Sequence, residues 1–197
     1  LWDFGSGPAA TVYDVAPAGD PLDLVIADPG AVTRAANGLT LLEPVRVATA
    51  GPAIKITDAC RQSGEITLEA WVCPASALQS GPARIATLSA DRYARNVTLA
   101  QGLATTDGDR YSGRLRTTAT DINGLPTVLT TSQTINQELQ HLMLVRDANQ
   151  EVRIYVDGQL QFTESRAGDF SNWDRSHGFA VGGEFAGTRN FFDGLHH

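Results

Sequence analysis

The sequence predicts an all-β protein, an antiparallel β-sandwich of the jelly-roll type. Period-two alternation of apolar and polar residues dominates the chain. At least eight such stretches are separated by short turns rich in Gly, Pro, Asn and Asp. No convincing amphipathic helix of three turns is found, and "SQTINQELQ" (132–140) holds one helical turn at most. With 197 residues and a hydrophobic content of 42%, the chain suits one sandwich domain.

The N-terminal third is the least regular part. "LWDF" reads as an opening strand, and "DPLDLVIADPG" and "NGLTLLEP" as strand-and-loop pieces. The Ala/Pro/Gly-rich segment 15–30 reads as a surface loop. "GEITLEAWVCP" alternates cleanly. Ile66, Leu68, Ala70 and Val72 point one way, while Thr67, Glu69, Trp71 and Cys73 point the other. Pro74 ends that run because it has no N–H to donate. "ARIATLSA" follows as a strand, then "RNVTLAQ" and "GRLRTTAT" around a turn at "TDGD". "LQHLMLVRD" and "EVRIYVDG" form the next pair, joined by Asp147-Ala148-Asn149-Gln150. In the second of these, Val152, Ile154 and Val156 belong to the core and Arg153 and Tyr155 to the opposite face. Asp157-Gly158 then predicts a type I′ hairpin turn, which needs positive φ at both central residues. "GFAVGGEF" is a late strand.

A net charge of −7 argues against nucleic acid, whose phosphates require a basic stripe. No run of about 18 apolar residues is present, so no membrane span is expected. The chain opens at Leu1 without a methionine and reads as a mature or excised piece. Lys55 is the only lysine, so the basic residues are otherwise arginine. That usage reflects either base composition or planar recognition of carboxylates and hydroxyls. Cys60 and Cys73 lie at the two ends of the "GEITLEAWVCP" region, too far apart for an unstrained bridge unless the chain folds back. No CxxC or Cys/His cluster suggests structural zinc. "NVT" (96–98) matches a glycosylation sequon.

Together, "LWDFGSG", "ITLEAWVCP", "HLMLVRDANQEVRIYVDGQL" and "GDFSNWDRSHGFAVGGEFAGTRNFFDGLHH" resemble the bacterial LamG-like jellyroll domains of the concanavalin A-like lectin/glucanase superfamily. "GPARIATLS", "RNVTLAQG" and "RLRTT" resemble a bacterial subset of that group. The resemblance covers essentially the whole chain and is more specific for fold than for function. It implies that the strand beginning at "GLHH" runs on through several apolar residues and pairs near the first strand. The expectation is therefore a single domain, 1–197, lacking its last strand and belonging to a longer protein. A sheet edge would then stand open there for self-association. His196 and His197 read as the start of that strand or as a tag remnant.

Candidate sites follow from the alternation. Retaining glucanases on this scaffold resemble one another in an E-x-D-x-x-E strand holding two carboxylates about 5 Å apart. None of the glutamates here begins that pattern, although Glu69 and Glu184 could approach across neighbouring strands. A lyase would use Arg114, Arg116, Tyr155, Gln101 and His141 around a uronate. A binding module would place Glu69, Trp71, Arg114, Arg116, Arg153, Tyr155 and Glu184 on one outer face. The competing reading of those charges is a cross-strand Arg–Glu ladder that keeps an exposed face soluble. The "SNWD" loop adds Trp173, either a ligand contact or a plug over the core, and "GGEFAGTRN" adds Arg189. The family commonly binds Ca²⁺ through loop oxygens, and Asp169, Asp174 and Glu184 are the ligands this would use.

The sequence thus predicts a non-catalytic binding or adhesion module of an extracellular or cell-surface protein, with a glycan as ligand. The alternatives are a structural module of an extracellular assembly and a polysaccharide-active hydrolase or lyase.

Overall fold

The computed structural model describes residues 1–36, 38–79, 81–103 and 106–186, together with the backbone of 195–196. In chain order the strands are β1 (Thr11–Val12), β2 (Leu24–Ile26), β3 (Val32–Ala35), β4 (Gly38–Leu41) and β5 (Val47–Thr49). After helix α1 (Ile54–Ser63) come β6 (Ile66–Val72), β7 (Ala83–Ser89), β8 (Arg95–Leu103), β9 (Thr106–Leu115) and β10 (Val128–Leu129). The last are β11 (Gln140–Arg146), β12 (Glu151–Val156), β13 (Gln159–Ser165), β14 (Gly178–Val181) and β15 (Leu195–His196). They form two antiparallel sheets. A large sheet of eight strands runs β1-β2-β5-β14-β7-β8-β9-β10, and a small sheet of seven runs β13-β12-β11-β6-β15-β4-β3. The predicted jelly-roll sandwich is the architecture observed.

The core lies between the sheets. The small sheet contributes Leu142, Leu144, Val152, Ile154 and Val72, and the large sheet Leu88, Val97, Leu99, Tyr111, Leu115 and Phe179. These are alternate residues of their strands, as a pleated backbone requires. Asp157 (φ 51°) and Gly158 (φ 75°) both take positive φ, the geometry predicted for the β12–β13 hairpin.

Four local readings need correction. "LWDF" makes no strand, only an isolated bridge between Trp2 and Asp14. "TDGD" is not a turn, because Thr106–Asp109 already belongs to β9. The β8–β9 ladder extends to Leu103↔Thr106 beyond an irregularity after Gln101. Helix α1 is longer than any helix the sequence suggested. Its β-branched Ile54, Ile56 and Thr57 disguise it, since such residues are poor helix formers. Its end was legible: Gly64 takes φ 71° and donates its N–H to the Cys60 carbonyl at 2.8 Å, with Arg61 in the last turn.

The fourth correction concerns the C-terminal edge. β15 is interior to the small sheet, between β6 and β4, because Leu195 pairs with both Val72 and Leu39. Among the described residues its pairing with β6 covers Val72 and Trp71. Among the described residues, Ile66–Ala70 has no strand on the side away from β11. Two adjoining cavities of roughly 600 and 450 Å³ open there, sharing Leu1, Trp2, Thr67 and Leu68. The smaller reaches Leu88, Val97 and Phe179 in the core. Ile66, Leu68 and Ala70 face inward yet are only half-buried, whereas Leu142 and Leu144 on the neighbouring strand are fully buried.

Candidate functional site on the outer face of the small sheet

The register of β6, β11, β12 and β13 builds one continuous outer face. Trp71 lies opposite His141, Glu69 opposite Met143, and Thr67 opposite Val145. Met143 in turn faces Tyr155, and Val145 faces Arg153. Tyr155 then faces Leu160 across the register shift in the β12–β13 pair.

Trp71 is the chemical centre of this face. Its ring is 42% exposed, unusual for so large an apolar group. It stacks on the His141 imidazole with centroids 4.6 Å apart and 29° between planes. The same imidazole holds Glu69 through Nε2 at 2.7 Å from Oε1. Asp157 fixes the strand below by accepting the His141 backbone N–H at 2.8 Å. The indole is therefore stacked on one cross-strand neighbour, partly exposed, and beside an exposed carboxylate. Arg153 stands further along the face. It donates to Asp147 Oδ2 at 2.8 Å and to Glu151. Both partners are local, one in its own strand and one in the preceding turn, and not the cross-strand Arg–Glu ladder considered from the sequence.

The other residues expected on this face lie elsewhere. Alternation fixes parity within a strand but not which sheet the strand joins. Arg114 sits on β9 opposite Thr98, on the outer side of the large sheet. It donates to Thr127 Oγ1 at 2.9 Å and Asn123 Oδ1 at 2.8 Å. Arg116 follows just past β9. Glu184 is buried on the same side, accepting from Arg84 Nε at 3.0 Å and Ser89 Oγ at 2.5 Å. Glu69 and Glu184 thus occupy opposite outer faces of the sandwich, and no carboxylate pair forms between them. The lyase set is divided as well, because Gln101 is buried with its amide given to the Ser76 and Gly108 carbonyls.

Trp173 is 2% exposed and is a core plug. Its ring packs on Phe170 at 4.3 Å, and Nε1 donates to the Arg116 carbonyl at 2.7 Å. Arg189 lies outside the described residues.

The three carboxylates considered for Ca²⁺ are engaged separately. Asp169 Oδ1 accepts from the N–H and hydroxyl of Ser171, and Asp174 Oδ1 from those of Ser176. These hydrogen bonds hold both carboxyls below the usual carboxylate range, although burial opposes the shift slightly. Glu184 is taken by Arg84 and Ser89. Among the described residues no group of three His, Cys, Asp or Glu side chains gathers around a common point. Cys60 and Cys73 are free thiols, and burial pushes Cys60 up to about 11.

Sequence reasoning missed the role of His141. The signal was present, since His141 and Trp71 share outward parity on adjacent strands. Only their register, however, reveals the stack.

Comparison with known proteins agrees with this architecture. No match was found among curated protein sequences. Residues 48–196 match a laminin G family of the concanavalin A-like lectin/glucanases superfamily. Among solved structures, the chain is similar to the CBM40 of a Ruminococcus gnavus IT-sialidase bound to α2,3-sialyllactose. That likeness has a TM-score of 0.54 and 15% identity, covering 76% of this chain and 82% of that one. It is also similar to domain 4 of AbnA, a GH43 extracellular arabinanase from Geobacillus stearothermophilus, in complex with arabinotriose. There the TM-score is 0.52 with 16% identity, over 90% of this chain and 72% of that one. Trypanosoma rangeli sialidase in complex with the inhibitor DANA aligns with a TM-score of 0.63 and 18% identity. That alignment covers 99% of this chain but 29% of the sialidase. At these identities the likeness establishes fold. The chain belongs to the concanavalin A-like lectin/glucanases superfamily.

Proposed function

We propose that this member of the superfamily is a non-catalytic glycan-binding module of an extracellular protein, and that it binds sugar on the outer face of the small sheet around Trp71. The observation that carries the reading is the Trp71–His141–Glu69 group. A half-exposed indole stacked on its cross-strand neighbour offers a flat apolar surface to the C–H face of a pyranose or furanose ring. The Glu69 carboxylate beside it accepts hydrogen bonds from ring hydroxyls, charge-assisted and therefore directional. Tyr155 lies two strand spacings from Trp71, about 10 Å across the sheet, a span suited to a short oligosaccharide. The similar CBM40 and arabinanase domain, bound to sialyllactose and arabinotriose, lend the reading support from fold.

Isothermal titration with a panel of oligosaccharides tests it. Trp71→Ala is expected to weaken any binding by on the order of tenfold or more, since it removes the stacking surface. Sugar binding that is indifferent to Trp71 would move the site elsewhere.

A further inference from the structure

The glycan reading leaves the charge class of the ligand open, and the inference drawn here rests on that reading. On the outer face of β6, β11, β12 and β13 the described guanidinium is already committed to carboxylates. Arg153 is held between Asp147 and Glu151. The His141 imidazole is taken by Glu69 on one edge and by the Trp71 ring on its face. Carboxylates stand nearby, each engaged in hydrogen bonds that leave its negative charge in place: Glu69 with His141, Asp157 with the His141 N–H, and Asp3 with Gly5 and Ser6. The Glu69 side chain is 53% exposed at the rim of the indole. Asp157 stands exposed at the end of the same strand pair. Asp3 lines the cleft together with Glu69 and Trp71. The whole chain carries a net charge of −7, so the long-range field has the same sign as the local one.

We infer that this platform selects neutral oligosaccharides and disfavours sugars bearing a carboxylate. The chemistry is direct. A neutral ring brings hydroxyl donors to the Glu69 oxygens and an apolar face to Trp71, and it asks for no cation. A sialic or uronic acid stacked on Trp71 would bring its carboxylate close to Glu69, with Asp3 in the adjoining cleft and Asp157 at the end of the neighbouring strand pair adding to the same field. To be held, it would have to displace Asp147 or Glu151 from Arg153. Like charges placed opposite each other act as a rejecting element in recognition. The chain would thus differ in ligand from the similar sialyllactose-bound CBM40 while sharing its architecture. The row Glu69–Met143–Tyr155–Leu160 extends the platform with apolar and aromatic groups, which suits a neutral chain lying across the strands.

The test uses paired probes that differ only in charge. Lactose is compared with 3′-sialyllactose, and xylotriose with a xylo-oligosaccharide carrying a glucuronic acid branch. Each is titrated into the full chain at low and high salt. The neutral member of a pair is expected to bind tighter by on the order of tenfold at low salt, and the gap should narrow as salt screens the repulsion. Glu69→Gln is expected to weaken the neutral probe and to shrink the gap, and Glu69→Arg to reverse the preference. The inference is overturned if an acidic probe binds as well as its neutral partner while still depending on Trp71. If no probe binds, or binding ignores Trp71, the platform itself is wrong and the charge inference falls with it.

Discussion

The two sheets are alike on their inner faces and opposite on their outer ones. On the outer side of the large sheet, Arg84, Thr87, Ser89, Arg95, Thr98 and Ser112 are all buried. Each has a partner: Arg84 and Ser89 meet at Glu184, Thr87 bonds Thr98 at 2.7 Å, Arg95 bonds Thr98 at 3.3 Å, and Ser112 donates to the Gly102 carbonyl at 2.9 Å. On the outer side of the small sheet, Trp71 and Leu160 are exposed. Polar side chains are hidden on one face and an aromatic is displayed on the other, the reverse of what hydropathy alone suggests. A buried polar network is rigid and costly to disturb, whereas a displayed indole contributes little to stability and is free for binding.

The widest gap between the faces should appear in stability. Glu184→Ala leaves the Arg84 guanidinium without its carboxylate in a buried site and is expected to cost about 3–5 kcal/mol in urea unfolding. A cost below about 1 kcal/mol would make the two faces energetically equivalent and end the contrast. Gly158→Val probes the hairpin that anchors the small sheet's face. A Cβ there meets nothing within 4 Å, so the penalty is backbone strain from φ 75° alone, about 1–2 kcal/mol.

Acid should act on the large-sheet side in two stages. His177 is buried near the outer side of the large sheet, and burial holds its pKa below the ordinary imidazole value, with Arg116 adding to the effect and Asp174, Asp91 and Glu184 opposing it. A depressed histidine contributes stability that is full above the unfolded value, about 6.5, and is lost as pH falls through the lower folded value. Asp174 and Asp91 are depressed by the hydrogen bonds they accept, so their contribution persists until pH falls below about 4. Two-stage acid loss is therefore expected in circular dichroism melts, and His177→Gln should remove the first stage only. The smallest effect on folding belongs to Trp71→Ala. Because the ring is displayed, its removal should change unfolding free energy by less than about 1 kcal/mol while sugar binding is lost.

The β6, β11 and β12 faces were legible in the sequence, and so was the Asp157-Gly158 turn. Trp71, Arg153 and Tyr155 share one outer face because β6 and β12 both flank β11 in one sheet. Arg114 and Glu184 were misplaced because parity within a strand says nothing of sheet membership. Trp173 could not be assigned because a loop aromatic has no period to betray its direction. Its burial depends on Phe170 and on the Arg116 carbonyl, contacts set by the tertiary fold. Helix α1 was hidden by composition, although its glycine stop was in plain view.

The outermost strand of the small sheet, β13, has a kinetic signature. Alternate N–H groups of an antiparallel strand point to opposite neighbours. On β13 one set is bonded to β12, and among the described residues the other set faces no strand. Exchange of amide hydrogen for deuterium should therefore alternate along this one strand. Residues aimed at β12 should be slow, and those between them fast. Any peptide that docks along the edge would erase the alternation, residue by residue, over the length it covers.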